Sequence, residues 1–161
     1  MTKMDALWAP WRMEYITHAK RQKGCLFCRV VKENKDKENL LLYRSRYAFC
    51  MLNKFPYNNG HLLVSPYRHL CEMDKLNRDE VLDLFAVLSK MQALLKKILK
   101  PDGFNMGINL GRVAGAGIPH HLHMHVVPRW KEDTNFMPVV FSTKIISQSL
   151  EALYDQLHKR I

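Results

Sequence analysis

The segment His121-Leu122-His123-Met124-His125-Val126-Val127 alternates imidazole and apolar side chains without a break. A period of two is the signature of a strand, because successive side chains leave opposite faces of a sheet. The alternation puts His121, His123 and His125 on one face and Leu122, Met124 and Val126 on the other, in the core. His120 falls outside the pattern and reads as a loop residue. A buried imidazole needs polar partners. Three of them on one face therefore indicate chemistry more than packing. Two chemistries fit: three ligands to one metal, or one histidine as nucleophile beside neighbours that bind phosphate.

The preceding loop favours the second. Asn109 and the glycine-rich run Gly111 to Gly117 place backbone N–H groups where an anion can be cradled. Gly115, Ala116 and Gly117, with Arg112, are candidate phosphate contacts. Trp130, just past the strand, is a candidate to stack on a base, and Arg129 a candidate for polyphosphate. The net charge of +10 supplies a field for a polyanionic substrate. The basic residues are scattered and no nucleic-acid-binding motif is present, so a specific nucleic acid is not expected as partner.

The surrounding elements are short strands and two helices. Leu40 to Tyr43 and Tyr47 to Leu52 read as strands around the turn Arg44-Ser45-Arg46. Lys54 to Gly60 is a loop, and His61 to Ser65 a strand stopped by Pro66. Asn77 with Glu80 three residues on is a capping-box start. Val81, Leu84, Phe85, Leu88, Met91, Leu94, Leu95 and Ile98 follow at helical spacing and predict one buried stripe. Pro101-Asp102-Gly103 ends that helix, and Phe104 to Leu110 is the next strand. The catalytic strand is stopped by Pro128. A strand near Met137 to Phe141 and a helix from about Ser147 to His158 complete the chain. This order predicts an α+β fold, an antiparallel sheet with helices on one face. The 161 residues form one domain with no repeat.

Four cysteines remain. Cys25-x-x-Cys28 reads as a metal or redox pair, and its polar flanks, with residues 32 to 39 as a loop, favour metal. Cys50 and Cys71 read as buried small residues. No apolar run is long enough to span a membrane, and the first 15 residues lack the apolar core of a signal peptide, so a cytoplasmic location is expected.

The run His121 to Val127 matches the pattern His-φ-His-φ-His-φ-φ of the histidine triad family, where φ is apolar. Cys25-x-x-Cys28, Gly60-His61-Leu62-Leu63-Val64-Ser65-Pro66 and Asn109 fall in the family's order, so the resemblance covers about residues 24–129. Trp8 to Ile16, Asn109-Leu110-Gly111-Arg112, Ala114 to Gly117, Val127-Pro128-Arg129-Trp130 and Asp133 to Pro138 resemble its bacterial diadenosine tetraphosphate phosphorylases. The resemblance implies His123 as nucleophile on an α-phosphorus, His125 and His61 assisting at the phosphate, and Asn109 on the phosphate or ribose side. It implies a structural Zn2+ on Cys25, Cys28, His69 and His121. It also implies diadenosine polyphosphate and inorganic phosphate as ligands, and a homodimer or higher oligomer. A Gln-Ser pair that many members carry before the first histidine is replaced by Gly115-Ala116-Gly117-Ile118-Pro119-His120, which weakens transfer of hydrolase activity. Hydrolysis of phosphoramidates or dinucleoside polyphosphates is the enzymatic alternative, and a nucleotide-binding partner protein the non-enzymatic one. Trp8 and Trp11 read as packing or subunit contacts.

Overall fold

The structure is a computed structural model that describes residues 24–131, 133 and 146–161. The expected strand near Met137 to Phe141 and the segment with Trp8 and Trp11 lie outside the described residues. The elements run α1 (Leu26–Glu33), β1 (Leu41–Arg44), β2 (Ala48–Leu52), β3 (Leu62–Pro66), a 3-10 turn (Met73–Lys75), α2 (Arg78–Leu99), β4 (Gly103–Ile108), β5 (Met124–Arg129) and α3 (Leu150–His158). All strand pairs are antiparallel, in the order β1-β2-β3-β5-β4. This is the α+β architecture expected.

One face of the sheet carries α2 and α3. Cys50, Leu52, Leu62, Val64 and Val126 meet Leu84, Leu88, Met91 and Leu95 of α2 and Leu153, Tyr154 and Leu157 of α3. Leu122 is also buried, and Met124 packs against this cluster, as the alternation required. The capping box at the α2 start is complete: Asn77 accepts from the Glu80 amide, and the Glu80 carboxylate accepts from the Asn77 amide. Asp83 then ties α2 to the β1–β2 turn by accepting from Ser45 Oγ and the amides of Tyr47 and Ala48.

Five expectations are corrected. The helices do not all lie on one face, because α1 covers the other, packing Phe27 and Val30 against Leu41, Phe49, Met51 and Leu63. Residues 32 and 33 therefore end a helix rather than begin a loop. The eight-residue α1 was not legible because its N-cap, Cys25, makes no side-chain cap bond. Val81 and Phe85 are exposed rather than buried. They sit on the α2 flank opposite Asp83 and Lys90, which face the β1 side, and so look toward the β4 edge. Cys71 is exposed, whereas Cys50 is fully buried.

Last, Pro128 does not stop its strand. Pro66 is the last residue of β3, opposite Ala48, as expected, whereas Pro128 lies inside β5 opposite Phe104. A residue's N–H and C=O leave a strand on the same edge. The Pro128 carbonyl accepts from Asn58 Nδ2, on the edge away from β4, so its missing N–H takes nothing from the β4 ladder.

Candidate active site

β5 begins at Met124, so His121 and His123 stand just before the ladder and only His125 is in it. Other bonds hold the lead-in straight. Leu122 donates its amide to the Leu70 carbonyl at 2.6 Å and accepts from Ser65 Oγ at 2.8 Å. The three imidazoles thus remain on the α1 face. Phe27 contacts the rings of both His121 and His123, and the His123 and His125 centroids are 5.1 Å apart.

The middle ring is oriented by its own backbone. His123 Nδ1 donates to the His121 carbonyl at 2.8 Å. A carbonyl only accepts, so the proton is on Nδ1 and the lone pair on Nε2. Burial holds the His123 pKa below the usual histidine range, partly offset by that carbonyl bond. The ring is neutral at pH 7, the state a nitrogen nucleophile requires.

The third ring is oriented by a chain of donors. His61, fully buried at the start of β3, accepts at Nδ1 from the Tyr57 amide at 3.0 Å and from Asn53 Nδ2 at 3.3 Å. For neutral rings its proton is then on Nε2, which donates to His125 Nδ1 at 2.9 Å. His125 in turn carries its proton on Nε2, the nitrogen away from His61. The Tyr57 ring stacks on His125 at 5.7 Å and 17°. Asn53 and Tyr57 had no signal in the sequence; only the folded loop brings them to His61.

The first ring turns away to a second cluster. Ligand atoms of Cys25, Cys28, His69 and His121 all lie within 4.8 Å of one another. His121 Nδ1 is 3.2 Å from Cys25 Sγ and 3.6 Å from Cys28 Sγ, and His69 Nδ1 is 3.4 Å from Cys28 Sγ. His121 Nε2 donates to the Pro66 carbonyl at 2.9 Å, which leaves Nδ1 unprotonated toward the thiols. Burial and the adjacent Cys25 raise the Cys28 thiol pKa, and a cation between them reverses that effect. Two sulfurs and two imidazole nitrogens, one already fixed in the ligating tautomer, fit a closed four-coordinate metal site.

The expected phosphate contacts divide. Asn109 lies just past β4, partly buried. Arg112 and Gly117 line a cavity beside α1, together with Leu26, Val30, Met51, Leu63 and Asn53. The amides of Gly115 and Ala116 turn inward to the carbonyls of Arg112 and Gly111, so these two bond within the turn instead of cradling an anion. Trp130 is not brought to the triad. It donates Nε1 to the Leu99 carbonyl at the end of α2, about 16 Å along the chain from His125 at strand spacing. Arg129 is exposed and paired with Asp133 at 2.5 Å.

The described residues thus form an α+β protein whose five-stranded antiparallel sheet carries three partnered histidines at the head of an inner strand. The chain belongs to the histidine triad family: the HIT domain model matches residues 34–132. It is 37% identical over 155 residues to the AP-4-A phosphorylase of Mycobacterium tuberculosis, covering 92% of this chain and 80% of that one. It is 33% identical over 102 residues to the asymmetrical bis(5'-nucleosyl)-tetraphosphatase of Schizosaccharomyces pombe, covering 63% of this chain and 56% of that one. Among solved structures, a Zn-bound histidine triad family protein from Mycobacterium smegmatis superposes with a TM-score of 0.67 at 25% identity, covering 84% of this chain and 91% of that one.

Proposed function

We propose that the protein splits diadenosine tetraphosphate with inorganic phosphate, giving ATP and ADP through a nucleotidyl group held on His123. The observation that carries this is the His123 tautomer, with Nδ1–H on the His121 carbonyl and the Nε2 lone pair free to attack. In the first step Nε2 bonds to the α-phosphorus, and the P–O bond to the ATP half breaks with its electron pair. In the second, a phosphate oxygen bonds to that phosphorus, the N–P pair returns to Nε2, ADP leaves, and the proton of hydrogen phosphate passes to water. Nδ1 keeps its proton throughout, and the His121 carbonyl stabilises the cationic ring of the intermediate. His125, held by His61, donates to a phosphate oxygen. The cavity lined by Leu26, Val30, Met51 and Leu63 suits one nucleobase, and Asn53 and Asn109 suit its sugar and phosphate.

Phosphate as acceptor is supported by the resemblance to the mycobacterial AP-4-A phosphorylase over nearly the whole chain. Hydrolysis is the second reading, favoured by the yeast tetraphosphatase relative. Diadenosine tetraphosphate incubated with and without phosphate separates them. ADP with ATP, only when phosphate is present, is the expected result; AMP with ATP at the same rate without phosphate overturns it. A nucleotide-binding partner protein predicts no turnover at all.

Zinc is the proposed metal of the thiol–imidazole cluster, supported by its donor set and by the Zn-bound neighbour. Cys25, Cys28, His69 and His121 would hold it, and it would supply cross-linking, joining the start of α1 to the lead-in of β5. Cysteines kept reduced accord with a cytoplasmic setting; the four are free of disulfides, and no described helix can cross a membrane. The whole chain is proposed to act as one domain. A homodimer through the β4 edge is the proposed assembly, because among the described residues β4 has a neighbour on one side only and Met106, Val81 and Phe85 are exposed. Phe85→Glu with Met106→Glu, run by sedimentation, is expected to give monomers.

A further inference from the structure

We infer that Gly107 is a specificity-determining residue, which keeps open the lane for the leaving half of a two-ended substrate and for the phosphate that replaces it. The inference rests on the nucleotidyl-transfer reading above. Gly107 is the cross-strand partner of His125 on β4, so any side chain there would stand on the histidine face beside the His125 ring. A Cβ added to Gly107 meets nothing within 4 Å, and the residue is exposed. A glycine inside a strand weakens it and often marks a place where something must approach closely.

The walls around the triad are unequal. On the β3 side His125 faces Leu63, its cross-strand partner, and the His61 ring. Tyr57 stacks across it, and Phe27 of α1 closes on His123. Among the described residues, nothing stands within 4 Å of a Cβ placed on the β4 side at Gly107. One nucleoside fills the cavity toward α1, so the remainder of a dinucleotide has to leave over Gly107. The two-step chemistry gives that lane a second use. Each displacement at phosphorus is in line with the His123 nitrogen. The incoming phosphate must therefore arrive where the polyphosphate departed.

The test is a calorimetric titration of wild type, Gly107→Ala and Gly107→Val with AMP and with a methylene-bridged, uncleavable diadenosine tetraphosphate. Valine is at home in strands, and circular dichroism and thermal melting confirm that each variant is folded. The valine variant is expected to weaken the two-ended ligand roughly tenfold or more, since overpacking a filled site is costly, and AMP by less than about threefold, with alanine between. Equal weakening of both ligands, or of neither, overturns the inference. So does a valine variant that becomes monomeric in sedimentation with its ligand ratio unchanged, which would assign the glycine to chain packing. Binding of an inert analogue is read without turnover, so a failure of phosphorolysis registers separately.

Discussion

The two ends of the histidine run use the same side chain for opposite purposes. At the front, His121 is saturated: Nε2 is spent on the Pro66 carbonyl and Nδ1 is enclosed by Cys25 and Cys28. At the back, His125 receives its orienting bond at Nδ1 from His61, which presents the opposite nitrogen's proton. His123, between them, is held by one backbone carbonyl. An imidazole's role is thus set by which nitrogen its neighbours occupy. The front end closes into a clamp, and the back end turns its Nε2–H away from His61.

The largest expected effect is at the middle ring. His123→Ala should lower nucleotidyl transfer by roughly a thousandfold or more, as loss of a nucleophile does, while AMP affinity stays within about threefold. Single-turnover assays and calorimetry read the two. A variant that retains most of its turnover would remove the division of labour altogether.

The clamp comes next. Cys28→Ser should reduce bound zinc from about one per chain toward zero and lower the melting midpoint by on the order of 10 °C, the scale of losing a structural metal site from a chain of this size. Metal analysis with thermal melting checks it. Unchanged melting in a metal-free variant would mean that the front end is not a clamp.

At the back end, His61→Ala should lower kcat by roughly ten- to a hundredfold with unchanged metal content, because His125 loses the donor that fixes its tautomer. If His61→Ala instead released the metal, the two ends would be one cooperative unit.

The smallest effect is in acid. Hydrogen bonds from Arg68, then the Asn77 amide, hold the Glu80 carboxyl below its usual range despite burial. Arg68 directly precedes His69, and its guanidinium grips both Glu80 oxygens, at 2.8 and 2.6 Å. A folded pKa below the unfolded one stabilises the protein above about pH 4.3, and the gain is lost as pH falls through the depressed value. Glu80→Gln should therefore flatten the acid limb of a melting-temperature profile. An unchanged limb would show that Arg68 does not anchor this segment.

Much of this was legible in one dimension. The long helix, its cap at Asn77, and the alternation that buries Leu122 and Val126 are local patterns, and each appears within a few residues of its expected place. Where reading failed, the deciding partner was distant in sequence. Val81 and Phe85 fit the helical stripe but are exposed, and among the described residues β4 is the last strand on that side of the sheet. Trp130 adjoins the catalytic strand in sequence, yet bonds to Leu99 at the end of α2. Gly115 and Ala116 are the local exception: their amides bond to Arg112 and Gly111 within their own turn.

The sequence by itself determined the residue types and their period: three imidazoles on one face, two thiols three apart, and glycine at 107. Tertiary structure decided the protonation pattern of the outer two rings. A histidine's free nitrogen depends on whether an acceptor or a donor stands against the other: for His121 that group is the Pro66 carbonyl, 55 residues away, and for His125 it is the His61 ring, 64 residues away. Spacing along a chain carries no information about such groups, because a hydrogen bond acts over about 3 Å and the chain returns to that distance only when folded.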